Sequence, residues 1–295
     1  VTSAATPSTT APTTATLAGA HGNRLCCTVH PAAGAVGVVF LHGGGQSRHS
    51  WRRAAQALQA RGFPAFTFDM RGHNDSEWLA DGRYRVEDFE ADLTALLGQW
   101  RVPAILVGAS LGGLAALMVA GTDSPWVRGL VVVDNAPLLS HREVTRYVDF
   151  MSHGAQNGFA SVESAVAHLN AFFPESPVSP EQVRRGLRET PAGRWVWRWD
   201  ARIIVGPTSS VAIGYEPLLQ ARARNVRVPF LMVKAGASDF VTPEAIEDLQ
   251  RCAPHVEIAV LQGARHMITG DDNLPFVEVA MPFLERVARE AAVGA

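Results

Sequence analysis

Lysine is almost missing from this 295-residue chain. Of its 26 basic residues only Lys234 is not arginine, a compositional bias that by itself points to no function. Positive charge is not in excess either. With 28 acidic residues the formal net charge is −2, which removes the electrostatic footprint that a nucleic acid or an anionic membrane surface calls for. Cysteine is scarce: Cys26 and Cys27 are adjacent and Cys252 stands alone. An odd count without framework spacing does not describe a disulfide-stapled secreted scaffold. With no CxxC and no Cys/His cluster, the adjacent pair reads as packed strand residues, and no metal is expected. No stretch approaches the roughly 18 apolar residues of a membrane-spanning helix. Residues 1–20, rich in Ser, Thr, Ala and Pro, have neither a basic start nor a continuous apolar run, so they make a poor secretion signal. They are expected to be a flexible tail, on a protein that stays in the cytoplasm.

What is present is ordinary globular composition, 47% hydrophobic and 18% charged, in a chain long enough for one large α/β domain with an insertion or for two domains. Short apolar runs bounded by turn residues predict strands at 24–30, 36–41, 65–68, 104–107, 130–133, 229–233 and 257–261. Runs of four to six apolar residues are the signature of strands buried on both faces. Between them, helical spacing predicts helices near 51–61, 86–100, 111–120, 243–252 and 282–292. Residues 111–120 are apolar nearly all round, which predicts a buried helix. Strands alternating with helices imply βαβ units and a mainly parallel sheet. From 139 to 215 the rhythm breaks, and prolines and aromatics take over. Because sheet-like sequence returns at 229, this stretch is expected to be a helical cap inserted between two core strands. The core would then comprise 21–138 and 216–295.

The sharpest motif is Gly108-Ala109-Ser110-Leu111-Gly112-Gly113, placed between a predicted strand and a predicted apolar helix. A serine on such a strand–turn–helix junction takes strained backbone angles and lifts its hydroxyl above the sheet edge, while small neighbours let the turn close. The helix start beneath it presents free N–H groups and a positive dipole end to a developing oxyanion. Ser110 is therefore the candidate nucleophile, against the plainer reading of a glycine turn before a helix. A serine hydroxyl needs a base. His266 follows the last predicted strand, at the sheet edge where sites form. A carboxylate must orient the imidazole, and two stand at strand ends. Asp239, on the next-to-last strand, gives the chain order Ser, Asp, His. Asp134, one strand earlier, is the alternative acid. His42-Gly43-Gly44-Gly45 follows the second clear strand and lets backbone approach a bound carbonyl. The oxyanion donors would be the N–H groups of Gly44 and Leu111, with Gln46 or Ser47 in support. No GKS, GKT or GxGxxG accompanies these glycines, so phosphate binding is not indicated.

Taken with Asp69-Met70-Arg71-Gly72-His73, Ala237-Ser238-Asp239 and Ala264-Arg265-His266, these motifs resemble the α/β-hydrolase superfamily, in its capped, esterase- and haloperoxidase-like branch. They occur in the family's order and spread over about 22–292. The resemblance implies an eight-stranded, mainly parallel sheet with a cap after the sixth strand. It implies a Ser110, Asp239, His266 triad, an acyl-enzyme route and no cofactor. Asn74 replaces a second glycine of the family pattern, a place where asparagine tolerates left-handed backbone. Serine as the nucleophile sets the chain apart from the haloalkane dehalogenases and epoxide hydrolases of this fold, which use a carboxylate. The Asn-Ser-Met turn of the C–C hydrolases is absent as well.

The expected activity is hydrolysis of a small-molecule carboxylic ester or related acyl compound. Lactone, thioester or amide hydrolysis, perhydrolysis, a lyase reaction and a non-catalytic receptor are the alternatives on the same fold, and self-association is left open. Gln46, Tyr147, Phe150, Met151, Trp195 and Trp197 are the candidate pocket residues, since a site beneath such a cap should be apolar with few polar groups.

Overall fold

The computed structural model describes residues 11–155, 158–174, 177–205, 214–266 and 273–293. In chain order the strands are β1 (Thr13–Ala18), β2 (Arg24–His30), β3 (Gly37–Leu41), β4 (Ala65–Phe68), β5 (Ala104–Ala109), β6 (Val127–Val133), β7 (Leu187–Glu189), β8 (Trp195–Trp197), β9 (Phe230–Ala235) and β10 (Glu257–Leu261). The helices are α1 (Arg52–Ala60), α2 (Val86–Trp100), α3 (Leu111–Ala120), α4 (His141–Ser152), α5 (Val162–Phe172), α6 (Pro180–Arg185), α7 (Glu216–Asn225), α8 (Pro243–Cys252) and α9 (Leu274–Val293). Eight strands form one sheet in the order β1-β2-β4-β3-β5-β6-β9-β10. β2 runs antiparallel to both β1 and β4, and every other neighbouring pair is parallel.

The central strands are apolar throughout because each feeds two cores. Successive side chains point to opposite faces. Val39, Leu41, Leu106, Leu130, Val132 and Met232 pack on one side, against α2, α3, α7 and α8. Val38, Phe40, Ile105, Val107, Val131, Val133 and Val233 pack on the other, against α1 and α9. All ten residues of α3 are buried, as their unbroken apolar sequence predicts. Among the described residues no helix is long and apolar enough to cross a membrane.

Two expectations need correcting. Residues 13–18 belong to the sheet and not to a flexible tail ending at residue 20: Thr13–Ala18 forms β1, paired from Thr13 opposite Val29 to Ala18 opposite Arg24. An edge strand needs only alternation: Ala15 and Leu17 face the core, and Thr14 and Thr16 face water. Composition alone cannot show that pattern. Residues 1–10 lie outside the described residues. The stretch between β6 and α7 is not wholly helical. After α4, α5 and α6 it forms a two-stranded antiparallel ribbon, with Leu187 opposite Trp197 and Glu189 opposite Trp195. The period-two tryptophans are its strand signature. This stretch is tied to the loop after β4. Tyr84 donates to Asp200 Oδ2 at 2.8 Å, Arg202 donates to the carbonyls of Leu79 (2.7 Å) and Ala80 (3.0 Å), and Arg198 bonds Asn74 and Asp75, each at 2.7 Å.

Two fully buried histidines join the loops that follow β3 and β4. His42 Nε2 accepts the Met70 N–H at 3.0 Å, which leaves Nδ1 to donate to the Gly43 carbonyl at 2.8 Å. His73 Nε2 accepts the Gly45 N–H at 3.1 Å, and its Nδ1 donates to the Arg71 carbonyl at 2.9 Å. The rings meet edge to face, with centroids 4.8 Å apart. Each ring must be neutral to accept its amide. Burial pushes His42 down to about 4. Burial and then the neighbouring His42 push His73 down to about 3.

An unfolded histidine titrates near 6.5. The unfolded chain therefore binds more protons below that pH, and stability falls as pH drops from about 6.5 toward about 4. The urea midpoint should decrease between pH 7.5 and pH 5. The decrease should be smaller in His73→Gln, whose amide oxygen offers the Gly45 N–H an acceptor that does not titrate. Equal decreases in both proteins would remove His73 from this balance.

Candidate active site

Ser110 stands between β5 and α3 with φ 49° and ψ −120°, a conformation that costs a non-glycine residue roughly 1–3 kcal/mol. Its neighbours make the turn possible. A Cβ on Gly108 would lie 2.2 Å from the Gly112 carbonyl oxygen, and one on Gly112 would lie 2.5 Å from the Leu41 oxygen. Hydrogen bonds hold the strained residue. Its N–H reaches the Val133 carbonyl at 3.4 Å, and its own carbonyl accepts from Leu114 N–H at 3.0 Å and Asn135 Nδ2 at 2.6 Å. Asn135 is a site residue that sequence reasoning missed, because its role is to grip backbone on a neighbouring strand.

In the structure His266 meets Asp134, the alternative carboxylate, and not Asp239. Its Nδ1 lies 2.8 Å from Asp134 Oδ2, at the end of β6. Asp134 is fully buried and has φ 46°, which swings its carboxylate off the strand end toward the histidine loop. Its Oδ1 accepts the Ala235 N–H at 3.0 Å, and Ser238 Oγ donates to Oδ2 at 2.5 Å. Asp239 is exposed, and among the described residues it makes no hydrogen bond to His266. Successive residues of the turn after β9 point opposite ways, so Ser238 faces inward and Asp239 faces water. Both carboxylates sit at strand ends, and nothing local in the sequence ranks them. Phe240 stacks on the imidazole with centroids 3.7 Å apart and planes 10° from parallel, and Tyr147 meets the imidazole ring edge-on at 5.7 Å.

The glycine loop after β3 leaves one donor unused. Gly43 N–H goes to Gln46 Oε1 at 2.9 Å, and Gly45 N–H goes to His73. Among the described residues the Gly44 N–H between them, and the Leu111 N–H that opens α3, have no acceptor. A Cβ on Gly44 would lie 3.9 Å from Leu111 Cδ2, so the loop passes over the start of α3. Gln46 serves as the brace of the loop through its acceptor oxygen.

Ser110 and His266 line one cavity of about 70 Å³, together with Gly44, Leu111, Leu114, Tyr147, Met151 and Phe240. Burial pushes the Tyr147 phenol up to about 12, which keeps it protonated. Gln46 joins Ser110 and His266 in a small adjoining recess. Three expected pocket residues lie elsewhere. Phe150 is stacked on Phe172 and on His168 within the stretch between β6 and α7, Trp195 lies under the Arg184 guanidinium, and Trp197 packs on Phe159. Aromatics at helical or strand spacing look alike whether they fill a core or line a pocket. A second cavity of about 200 Å³ opens on the other side of His266, where Arg146, Arg265 and Asp239 are found. The one cluster of prospective metal ligands among the described residues is Cys26, Asp69 and Asp75. The Arg48 guanidinium already sits there, bonded to both carboxylates.

The sequence profile of the alpha/beta hydrolase fold matches residues 37–272. Esterase Rv0045c of Mycobacterium tuberculosis is 31% identical over 259 residues, covering 84% of this chain and 82% of that protein. A solved structure of the same esterase superposes with a TM-score of 0.72 at 26% identity, over 93% of this chain and 92% of that one. The mouse sn-1-specific diacylglycerol lipase ABHD11 is 26% identical over 84% of this chain and 80% of its own. E-2-(acetamidomethylene)succinate hydrolase superposes with a TM-score of 0.78 over 93% of this chain and all of its own, and at 20% identity it shows the fold alone. With the strand order, the serine turn and the profile match in agreement, the chain belongs to the α/β-hydrolase fold family.

Proposed function

We propose that the protein is a serine carboxylic ester hydrolase in which Ser110 is the nucleophile, His266 the general base and Asp134 the acid. The observation that carries this reading is the 2.8 Å bond between His266 Nδ1 and buried Asp134, with Ser110 and His266 lining one cavity. With Nδ1–H committed to Asp134, Nε2 is left to take the Ser110 proton. The serine oxygen attacks the ester carbonyl. The negative charge that forms on the carbonyl oxygen meets the N–H groups of Gly44 and Leu111 and the positive end of α3. His266 then returns the proton to the departing alcohol. Water, deprotonated by the same imidazole, cleaves the acyl-enzyme to release the acid and free Ser110. In this reading residues 139–215 act as a cap, with Tyr147 and Met151 of α4 closing the cavity over the serine. The esterase and lipase named above as relatives support ester hydrolysis over other chemistry on the same residues.

The cavity shared by Ser110 and His266 is the smaller of the two cavities beside the imidazole, about 70 Å³ against about 200 Å³, which favours a short acyl chain. In a p-nitrophenyl series from acetyl to dodecanoyl, kcat/KM should be highest among the shortest esters, and Ser110→Ala should reduce turnover to the blank. A maximum at dodecanoyl would place the acyl chain in some other cavity. The acid is tested separately. Asp134→Asn should lower kcat by about 10³–10⁴-fold, since the imidazole loses the partner that holds its tautomer. Asp239→Asn should stay within about threefold of the parent, as exposed substitutions away from the reacting atoms do. The reverse ranking would return the acid role to Asp239.

A further inference from the structure

The loop after β9, where the acid was expected, has a different task. We propose that Ser238 is a positioning residue that fixes the carboxylate of Asp134 for His266, and that the turn Lys234–Phe240 is built to hold it there. The inference rests on the acid and base roles proposed above.

The Ser238 hydroxyl has a fixed direction. Its oxygen accepts the Phe240 N–H at 3.3 Å, and an N–H can only donate, so the hydroxyl proton is free to point at Asp134 Oδ2, 2.5 Å away. That is the oxygen that also meets His266 Nδ1. With the Ala235 N–H on Oδ1, both carboxylate oxygens are gripped from β9 and its loop. Rotation about the carboxylate axis is thereby blocked. A hydrogen bond to a charged acceptor with both partners buried is among the stronger ones a protein makes. Ser238 is itself buried.

The turn has its own anchors. Lys234, the only lysine in the chain, donates its ammonium group to the carbonyls of Ala235 (3.0 Å) and Ser238 (3.1 Å), at either end of the bend. The Ser238 N–H closes the bend onto the Ala235 carbonyl at 3.1 Å. The Gly236 and Ala237 N–H groups bond the carbonyls of Leu261 (2.9 Å) and Ala264 (2.8 Å), on the segment that leads to His266. At the end of the turn, Phe240 lies flat on the imidazole. One short segment thus touches the acid through Ser238, the base through Phe240, and the backbone that carries the base.

The test uses Ser238→Ala and Ser238→Thr, each alone and in the Asp134→Ala background. Activity is read twice, as kcat and KM on p-nitrophenyl acetate and as the rate of fluorophosphonate labelling of Ser110. Ser238→Ala should lower kcat and the labelling rate about 10- to 100-fold, with KM within about twofold and the melting temperature lowered by only a few degrees. Ser238→Thr, which keeps the hydroxyl, should recover most of the loss. In the Asp134→Ala background Ser238→Ala should cost nothing further, because a residue that acts through another has no effect once that residue is gone. An unchanged kcat in Ser238→Ala, or the same fold loss with and without Asp134, would overturn the proposal. A third reading needs no turnover: the imidazole N–H proton resonance of ¹⁵N-histidine-labelled protein. The resonance assigned to His266 should shift in Ser238→Ala and vanish in Asp134→Ala. Should the ester go uncleaved and Ser110 unlabelled, the hydrolase reading fails. The resonance then decides on Ser238 alone, and an unmoved signal rejects it.

Discussion

The close approach of α3 to the end of β3 is the constraint on which the rest of the site depends. Gly112 lies so near the Leu41 and His42 carbonyls that no side chain fits between them. That proximity brings the first N–H of α3 beneath the glycine loop and lets Gly44 and Leu111 present their donors to one point. It also forces the turn at Ser110 into its positive-φ conformation, which lifts the hydroxyl into the cavity. The placement of Ser110, of the Gly44 and Leu111 N–H groups and of the helix dipole therefore follows from one packing contact. The contact is available only because positions 108 and 112 carry no side chain.

The parts of the site that could be read from sequence are those that a local pattern specifies. Ser110 and the Gly44 and Leu111 donors belong to contiguous motifs flanked by a strand and a helix. His266 follows the last strand. The sheet was legible for the same reason, since strands such as 36–41 and 130–133 are apolar on both faces. What could not be read depends on distances across the sheet. Asp134 directly follows β6 and Asp239 lies in the turn after β9, both at the same edge of the sheet, and the outcome turns on a backbone torsion at one and a side-chain direction at the other. The His42–Met70 and His73–Gly45 bonds join residues about 28 apart, and no periodicity or composition records them. Between β6 and α7, Phe150 and Trp197 were indistinguishable from pocket residues, because burial in a small aromatic core demands the same side chains.

Two buried, neutral imidazoles and one buried carboxylate near a single cavity form a division of labour set by their partners. His42 and His73 each accept a backbone N–H and donate to a backbone carbonyl, so both ring nitrogens are consumed by structure. His266 spends one nitrogen on Asp134 and, among the described residues, no hydrogen bond occupies the other. His42 and His73, both fully buried, are thereby braces, while His266, partly exposed and lining the cavity, keeps one nitrogen uncommitted among the described residues. The criterion is hydrogen-bond satisfaction and not burial alone.

Both positive-φ residues of the site, Ser110 and Asp134, end adjacent parallel strands, β5 and β6. Each conformation costs roughly 1–3 kcal/mol and persists only where its surroundings over-determine it. Those surroundings are mutual. The Ser110 N–H bonds the carbonyl of Val133, the residue before Asp134, and the Ser110 carbonyl is gripped by Asn135, the residue after it. The Asp134 N–H in turn bonds the Val233 carbonyl on β9. Strain at Ser110 and strain at Asp134 are thus held by one continuous set of bonds running from the end of β5 through β6 to β9. A change that relaxes one turn is transmitted directly to the other. Asp134, one strand away from Asp239, is thereby held in register with the serine. The β6 terminus is bonded to the Ser110 turn itself, whereas among the described residues the Asp239 turn is bonded to it through Asp134.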